Sequence, residues 1–297
     1  MRRGSVADVM LFATTLLWAL NFTVSKYILE HGLRPLAYSA LRYSAAALIF
    51  VAITYPRERS LRIARGDVLL VGGAVAVLLA NQVSFVYALD LTTATTVALL
   101  FGTLPIFTAL ISRLVGVEQL DGRFWTAAAI SFSGVALVTA GSGGSLSADF
   151  VGDLLALLGA ATWGAYSVAV APLMRRYSPA RLSAVFLLAV SVPLLLLGTP
   201  QIADEDFDWN ALVWLGFVFA VLGPLVVTNL LWFSAIDRVG PSHAAVFANL
   251  QPFLAAVIAL LLLDEDLTRF QVAGGLAIGA GILLSRRRAP EPEPELT

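Results

Sequence analysis

Ten stretches of about 20 mostly apolar residues follow one another through this 297-residue chain, over about 7–29, 35–55, 67–88, 92–114, 121–140, 153–173, 180–199, 211–233, 241–263 and 268–285. About 20 such residues carry a helix across the hydrocarbon core of a bilayer. Charge or turn clusters separate most of them, among them Arg57-Glu58-Arg59, Gly141-Ser142-Gly143-Gly144-Ser145, Asp204-Glu205-Asp206 and Asp264-Glu265-Asp266. A transmembrane β-barrel would alternate apolar and polar residues in short segments, and these runs are apolar all round. Charged residues make up 13% of the chain and apolar ones 59%, against roughly 25% and 45–50% in a soluble domain. That is too little charge to clothe a water-exposed surface. A soluble enzyme, a nucleic-acid-binding module and a disordered chain are excluded, which leaves an all-α polytopic membrane protein.

The basic residues orient it. With a cytoplasmic N-terminus, 15 of the 19 Lys and Arg fall on cytoplasmic ends and loops, and Lys26, Arg34, Arg42 and Arg269 lie on or near the outer side. This asymmetry predicts cytoplasmic termini at both ends of a multi-pass protein of the inner (plasma) membrane. The apolar run after Met1-Arg2-Arg3 reaches span length without a small-x-small cleavage site, so it reads as a span rather than a signal peptide. There is no cysteine, and the two histidines, His31 and His243, are far apart in sequence. No metal site or cofactor is expected, and a net charge of −1 gives no field for nucleic acid.

The chain also resembles itself. Asp8 precedes Trp18 by ten residues and Asp153 precedes Trp163 by ten, an offset of 145. An offset of 147 pairs Asp90 with Asp237, Ala98 with Ala245, Pro105 with Pro252, Glu118 with Glu265, Leu120 with Leu267 and Gly134 with Gly281. The expected organisation is a first five-helix repeat over 1–141, a Gly/Ser linker over 142–149, a second repeat over 150–285 and a disordered cytoplasmic tail over 286–297. Five is odd, so the halves must be inverted, a plan used by secondary transporters whose substrate site lies near the midplane between repeats.

These features together resemble the drug/metabolite transporter superfamily in its ten-helix EamA-type branch. The matching residues are Leu17-Trp18-Ala19 with Asn21-Phe22, Leu41-Arg42-Tyr43 with Ala45-Ala46, Pro105 and Pro252, Glu118 and Glu265, and Gly134 with Gly274-Gly275, Gly279 and Gly281. The resemblance implies a central cavity lined by the first four helices of each half, worked by alternating access. It implies export of amino acids or related small polar metabolites. A multidrug or aromatic-cation exporter and a non-transporting scaffold are the alternatives. A membrane enzyme would need a nucleophile with a base, or a carboxylate–histidine metal cluster, at span depth, and the sequence offers neither.

Polar groups inside a bilayer are costly unless they face water or partners, so each is a candidate. Arg42 lies about seven residues into the second span, where a basic residue at helix centre costs about 2.5–3.5 kcal/mol. It is either a cation for a substrate carboxylate or a residue that snorkels outward or pairs with Glu30. Lys26, nearer the outer end, reads as snorkelling. Trp18 and Trp163 lie about 15 Å deep by helical rise, too deep for an interfacial belt, and with Tyr166 would wall the cavity. Trp125, Trp209, Trp214 and Trp232 read as belt residues. Asn21, Asn81, Gln82, Asn229 and Asn249 are the amides expected to orient a ligand, with bridging between helices as the alternative. Pro105 and Pro252 each remove a backbone hydrogen bond and are candidate hinges. Glu118 and Glu265 read as caps of spans five and ten. The run Ala273-Gly274-Gly275…Gly279-Ala280-Gly281 allows close helix packing, inside the chain or as a homodimer face. No Asp or Glu lies deep in a span, so the sequence offers no carboxylate proton carrier.

Overall fold

The computed structural model describes residues 3–116, 119–141, 148–239 and 247–285, and the regular structure in them is helical. Eight segments are long and apolar enough to cross a membrane: Val6–His31, Pro35–Glu58, Arg65–Leu91, Ala94–Leu114, Gly122–Gly141, Asp149–Arg175, Pro179–Ala203 and Ala211–Trp232. Two shorter apolar helices follow, Gln251–Leu262 and Arg269–Leu284. The helices are α1 (Arg3–His31), α2 (Pro35–Glu58), α3 (Val68–Leu91), α4 (Ala94–Phe101), α5 (Leu104–Leu114), α6 (Gly122–Gly141), α7 (Ala148–Val170), α8 (Pro179–Ala203), α9 (Ala211–Val221), α10 (Thr228–Val239), α11 (Gln251–Leu262) and α12 (Arg269–Ser285). Residues 148 and 149 of the expected linker already belong to α7. The rest of that linker, the tail, Glu118 and His243 lie outside the described residues.

Helix pairing follows the repeat. α2 packs on α8, and α6 on α12, each helix against its counterpart in the other half. α3 packs on α7, and α1 on α9 and α10, contacts that exchange when the halves are exchanged. Counterparts run antiparallel. Glu58 at the end of α2 binds Ser178 and Arg181 at the start of α8. At the other end Gln201 Oε1 of α8 accepts from the Leu36 and Ala37 amides at the start of α2, at 2.7 and 3.2 Å. The same holds for α6 and α12, where Gly141 meets Thr268 and Gly134 meets Gly274. Antiparallel packing of counterpart helices is what inversion of the two halves requires. The N–H groups opening α2 are satisfied by Gln201 of its partner, whereas α8 opens on its own Ser178, whose Oγ accepts from the Arg181 amide; a bare helix end would leave such groups orphaned.

The glycine run in α12 serves this packing. A Cβ on Gly274 would sit 2.5 Å from the carbonyl oxygen of Gly134, and one on Gly134 would sit 2.6 Å from that of Gly274. Both contacts are with backbone, which cannot step aside. Without a hydrophobic drive between helices in lipid, close backbone approach is what holds such a pair. Gly274→Val should destabilise the protein by about 1–3 kcal/mol, the usual range for overpacking, measured as a lower melting temperature in detergent. An unchanged value would show that this contact is not part of the stabilising core.

The two prolines break their spans rather than kink them. α4 ends at Phe101, Gly102 and Thr103 make tight turns onto Leu99 and Leu100, and α5 begins with Pro105 in its first turn. Asn249 and Leu250 form the equivalent turn before α11, with Pro252 in its first turn. A proline there has no intrahelical partner to lose, so the expected loss of a hydrogen bond is corrected: the break precedes the ring. A Cβ on Gly102 would stand 3.6 Å from the Pro252 Cβ, so the two breaks face each other.

A wide turn between α9 and α10 is not among the expectations from sequence. Over Leu222–Val227 the backbone is π-helical, and the Thr228 amide donates to Gly223 rather than to Pro224. Pro224 has no N–H of its own, and the widened turn leaves its carbonyl for side chains. Thr228 Oγ1 donates to it at 2.6 Å. Such turns commonly mark functional segments of a helix.

Candidate functional site

Arg42 is 3% exposed and turned into the protein. Its Nη1 donates to Asn21 Oδ1 at 3.1 Å and to the Tyr38 hydroxyl at 3.0 Å, and its Nη2 donates to Gln82 Oε1 at 3.2 Å. The guanidinium carbon stands 4.9 Å from the Tyr38 ring centre and 5.4 Å from that of Tyr43. Among the described residues it has no ion pair with a carboxylate. Glu30 pairs instead with Lys26 at 3.2 Å, so Arg42 neither pairs with Glu30 nor snorkels outward. Nε is buried and has no hydrogen-bond partner.

Three elements place this cation. α2 supplies Tyr38, Arg42 and Tyr43. Residues four apart lie on one helix face, so Tyr38 lies below Arg42 as ring and acceptor. α1 supplies Asn21 and Ser25, whose hydroxyl sits 2.7 Å from that of Tyr38. α3 supplies Asn81 and Gln82, with Gln82 Nε2 donating to Asn81 Oδ1 at 2.7 Å and Asn81 Nδ2 to the Gly159 carbonyl of α7 at 2.8 Å. Tyr38 and Ser25 were not among the candidates from sequence. Spacing to Arg42 marks Tyr38, and nothing in the sequence marks Ser25.

The aromatic candidates fall into two groups. Trp163 and Tyr166 of α7 lie 5.5 Å apart, with Phe186 of α8 5.5 Å from Tyr166. They belong to the same apolar cluster as Tyr43 and Phe50 of α2. Trp18 instead reaches the wide turn: its Nε1 donates to Thr228 Oγ1 at 3.1 Å and lies 3.4 Å from the Pro224 carbonyl oxygen. Its ring stands 5.1 Å from that of Trp232, which packs on it.

The other candidates are dispersed. Asn229 Nδ2 donates to Leu225 one turn back in its own segment, at 2.7 Å. Asn249 lies in the break before α11, beside Pro252. Glu265 does not cap α12. Its two oxygens accept from the Ala94 and Thr95 amides at 2.7 and 2.9 Å, capping α4 of the other half. A carboxylate favours any helix N-terminus, and the tertiary fold brings this one nearer to α4.

Comparison with known proteins agrees with this architecture. The profile of the EamA-like transporter family matches residues 5–140 and 150–287. An uncharacterized transporter of Archaeoglobus fulgidus is 26% identical over 296 residues, covering 95% of this chain and 98% of its own. The uncharacterized inner membrane transporter YedA of Escherichia coli is 25% identical over 288 residues, covering 93% of this chain and 89% of its own. A crystal structure of a protein 22% identical in sequence superimposes with a TM-score of 0.64, covering 95% of this chain and 98% of that one.

Proposed function

The chain belongs to the EamA-like transporter family, a multi-pass membrane transporter rather than an enzyme, and from that premise we propose that it exports small polar metabolites bearing a carboxylate, such as amino acids, across the inner membrane. In this reading ten spans cross the bilayer with both termini in the cytoplasm. The substrate site is the polar cluster around Arg42, flanked by Trp163 and Tyr166. Asn21 and Gln82 line it, Asn81 stands behind Gln82, Trp18 and Asn229 lie on helices that move, and Asn249 lies in the break before α11.

The observation that carries the reading is the state of Arg42. A buried cation is costly unless paired, and this one has only neutral acceptors. A guanidinium has five N–H donors. Asn21, Tyr38 and Gln82 take three, the Tyr43 hydroxyl also hydrogen-bonds the guanidinium, and Nε–H is left without a partner. Adjacent donors of a guanidinium match the two oxygens of a carboxylate. The aromatic-cation reading is less favoured, since Arg42 repels a cation.

Alternating access follows from the inverted repeat. The α3–α7 contact and the contact of α1 with α9 and α10 are equivalent by exchange of halves, yet only the second contains a wide turn. Interconversion of the two contacts would open the site to one side and then to the other.

The test is counterflow in proteoliposomes with L-leucine, L-phenylalanine and L-threonine, each beside its amide. The expected result is exchange of at least one acid and none of its amide, which keeps the side chain and loses the carboxylate. Equal exchange of acid and amide would overturn the carboxylate reading, and no exchange by folded protein of any of the six would overturn the substrate class.

A further inference from the structure

Both ends of the hydrogen-bond chain behind Arg42 have fixed polarity. A guanidinium only donates, and the Gly159 carbonyl only accepts. Every amide between them therefore has one orientation. Gln82 must turn its oxygen to Arg42, its nitrogen then donates to Asn81 Oδ1, and Asn81 Nδ2 donates to Gly159. The chain crosses from α2 through α3 to α7, from the first half into the second. Asn81 and Gln82 are 2% and 4% exposed. Asn81 has one amide atom engaged by Gly159 and the other by Gln82, so it stands one residue removed from the cation.

We propose that Asn81 is a positioning residue that acts through Gln82: it fixes the Gln82 amide so that Arg42 is held through Nη1 and Nη2, leaving the Nε–H edge unpaired for a substrate carboxylate. The inference rests on the carboxylate reading of Arg42 and replaces direct ligand contact by Asn81, the role expected from sequence. Without Asn81 the Gln82 amide is free to turn, and an N–H facing a guanidinium repels it. Arg42 then loses its Nη2 acceptor and samples orientations that blunt the open edge. Asn21 and Tyr38 still hold Nη1, so the defect is confined to one side of the guanidinium.

Two readouts test this on the full-length protein in lipid. In protein labelled with 15N-arginine, with Arg42 signals assigned by their loss in Arg42→Lys, Asn81→Leu should speed rotation about the Cζ–Nη2 bond at least tenfold and leave rotation about Cζ–Nη1 unchanged. Asn81→Ala is the second variant should Asn81→Leu fail to fold. In counterflow of L-leucine, Asn81→Leu should raise KM about tenfold with Vmax within twofold. The double variant with Gln82→Met should be no worse than Gln82→Met alone, because residues that act as one unit are non-additive. Unchanged Nη2 rotation, or a roughly hundredfold additive rise in KM, would overturn the inference. Faster Nη2 rotation in protein that exchanges none of L-leucine, L-phenylalanine and L-threonine would uphold the relay and count against the substrate reading, so the two failures are distinguishable.

Discussion

Arg42→Gln should abolish saturable exchange of a carboxylated substrate, raising its KM at least thirtyfold, while the melting temperature stays unchanged or rises. The two results belong together. Hydrogen bonds to charged groups contribute about 1.5–3 kcal/mol each, and the carboxylate loses the cation along with its unpaired Nε–H. One such bond is already more than tenfold in affinity, since about 1.4 kcal/mol is a factor of ten. Stability moves the other way, because a buried charge without a counter-ion is a cost that a neutral residue removes. The surrounding groups keep partners: the Ser25 hydroxyl remains 2.7 Å from that of Tyr38 and 3.4 Å from Asn21 Oδ1, and a glutamine amide still has N–H groups to donate. Counterflow kinetics beside a thermal melt check both halves. A variant that melts much lower would mean that Arg42 is a structural tie. Wild-type KM in a stable variant would remove Arg42 from the site.

Much of this architecture can be read in the chain because a bilayer penalises every polar atom it covers. Long apolar runs, the clusters between them and the offset of 147 are direct records of that penalty. Arg42 was conspicuous for the same reason: no apolar environment tolerates a guanidinium without cause. What the sequence withheld is which residues meet across the two halves. The offset shows that Glu118 and Glu265 are equivalent, but not that Glu265 reaches back to cap α4. It shows that Trp18 and Trp163 are equivalent, but not that one binds a wide turn of α9–α10 while the other packs on Tyr166. The wide turn itself follows from Pro224 within a long apolar helix, and the sequence alone does not say whether such a proline kinks, breaks or widens it. Pro105 and Pro252 resolved as breaks, Pro224 as a π turn, and Pro193 stays within the α-helix of α8. The roles of the amides were open for a related reason. An amide inside a span is equally suited to a ligand or to a neighbouring helix, and only the polarity imposed by Arg42 at one end and Gly159 at the other separates Gln82, which touches the cation, from Asn81, which orients it.

Gln82→Glu should silence the carboxylate site from within. The substitution keeps size and shape and changes one nitrogen to oxygen, so it puts a counter-ion where the neutral oxygen now accepts from Arg42 at 3.2 Å. Two unit charges about 4 Å apart attract by about 4 kcal/mol at an effective dielectric of 20. A substrate carboxylate must now compete with that pair and also approach a second negative charge. Even half of this energy is more than a tenfold loss, and the full value approaches a thousandfold. Gln82→Met sets the scale for losing the relay without adding charge, about tenfold, so a KM at least ten times worse for Gln82→Glu than for Gln82→Met is the signature of an internal counter-ion. The new ion pair should also raise the melting temperature above that of Gln82→Met, because Arg42 is no longer unpaired. L-leucine counterflow by the two variants, with thermal melts of each, is the measurement. Equal KM values for Gln82→Glu and Gln82→Met would show that the charge of Arg42 is not what the substrate meets, whatever the relay does to its orientation.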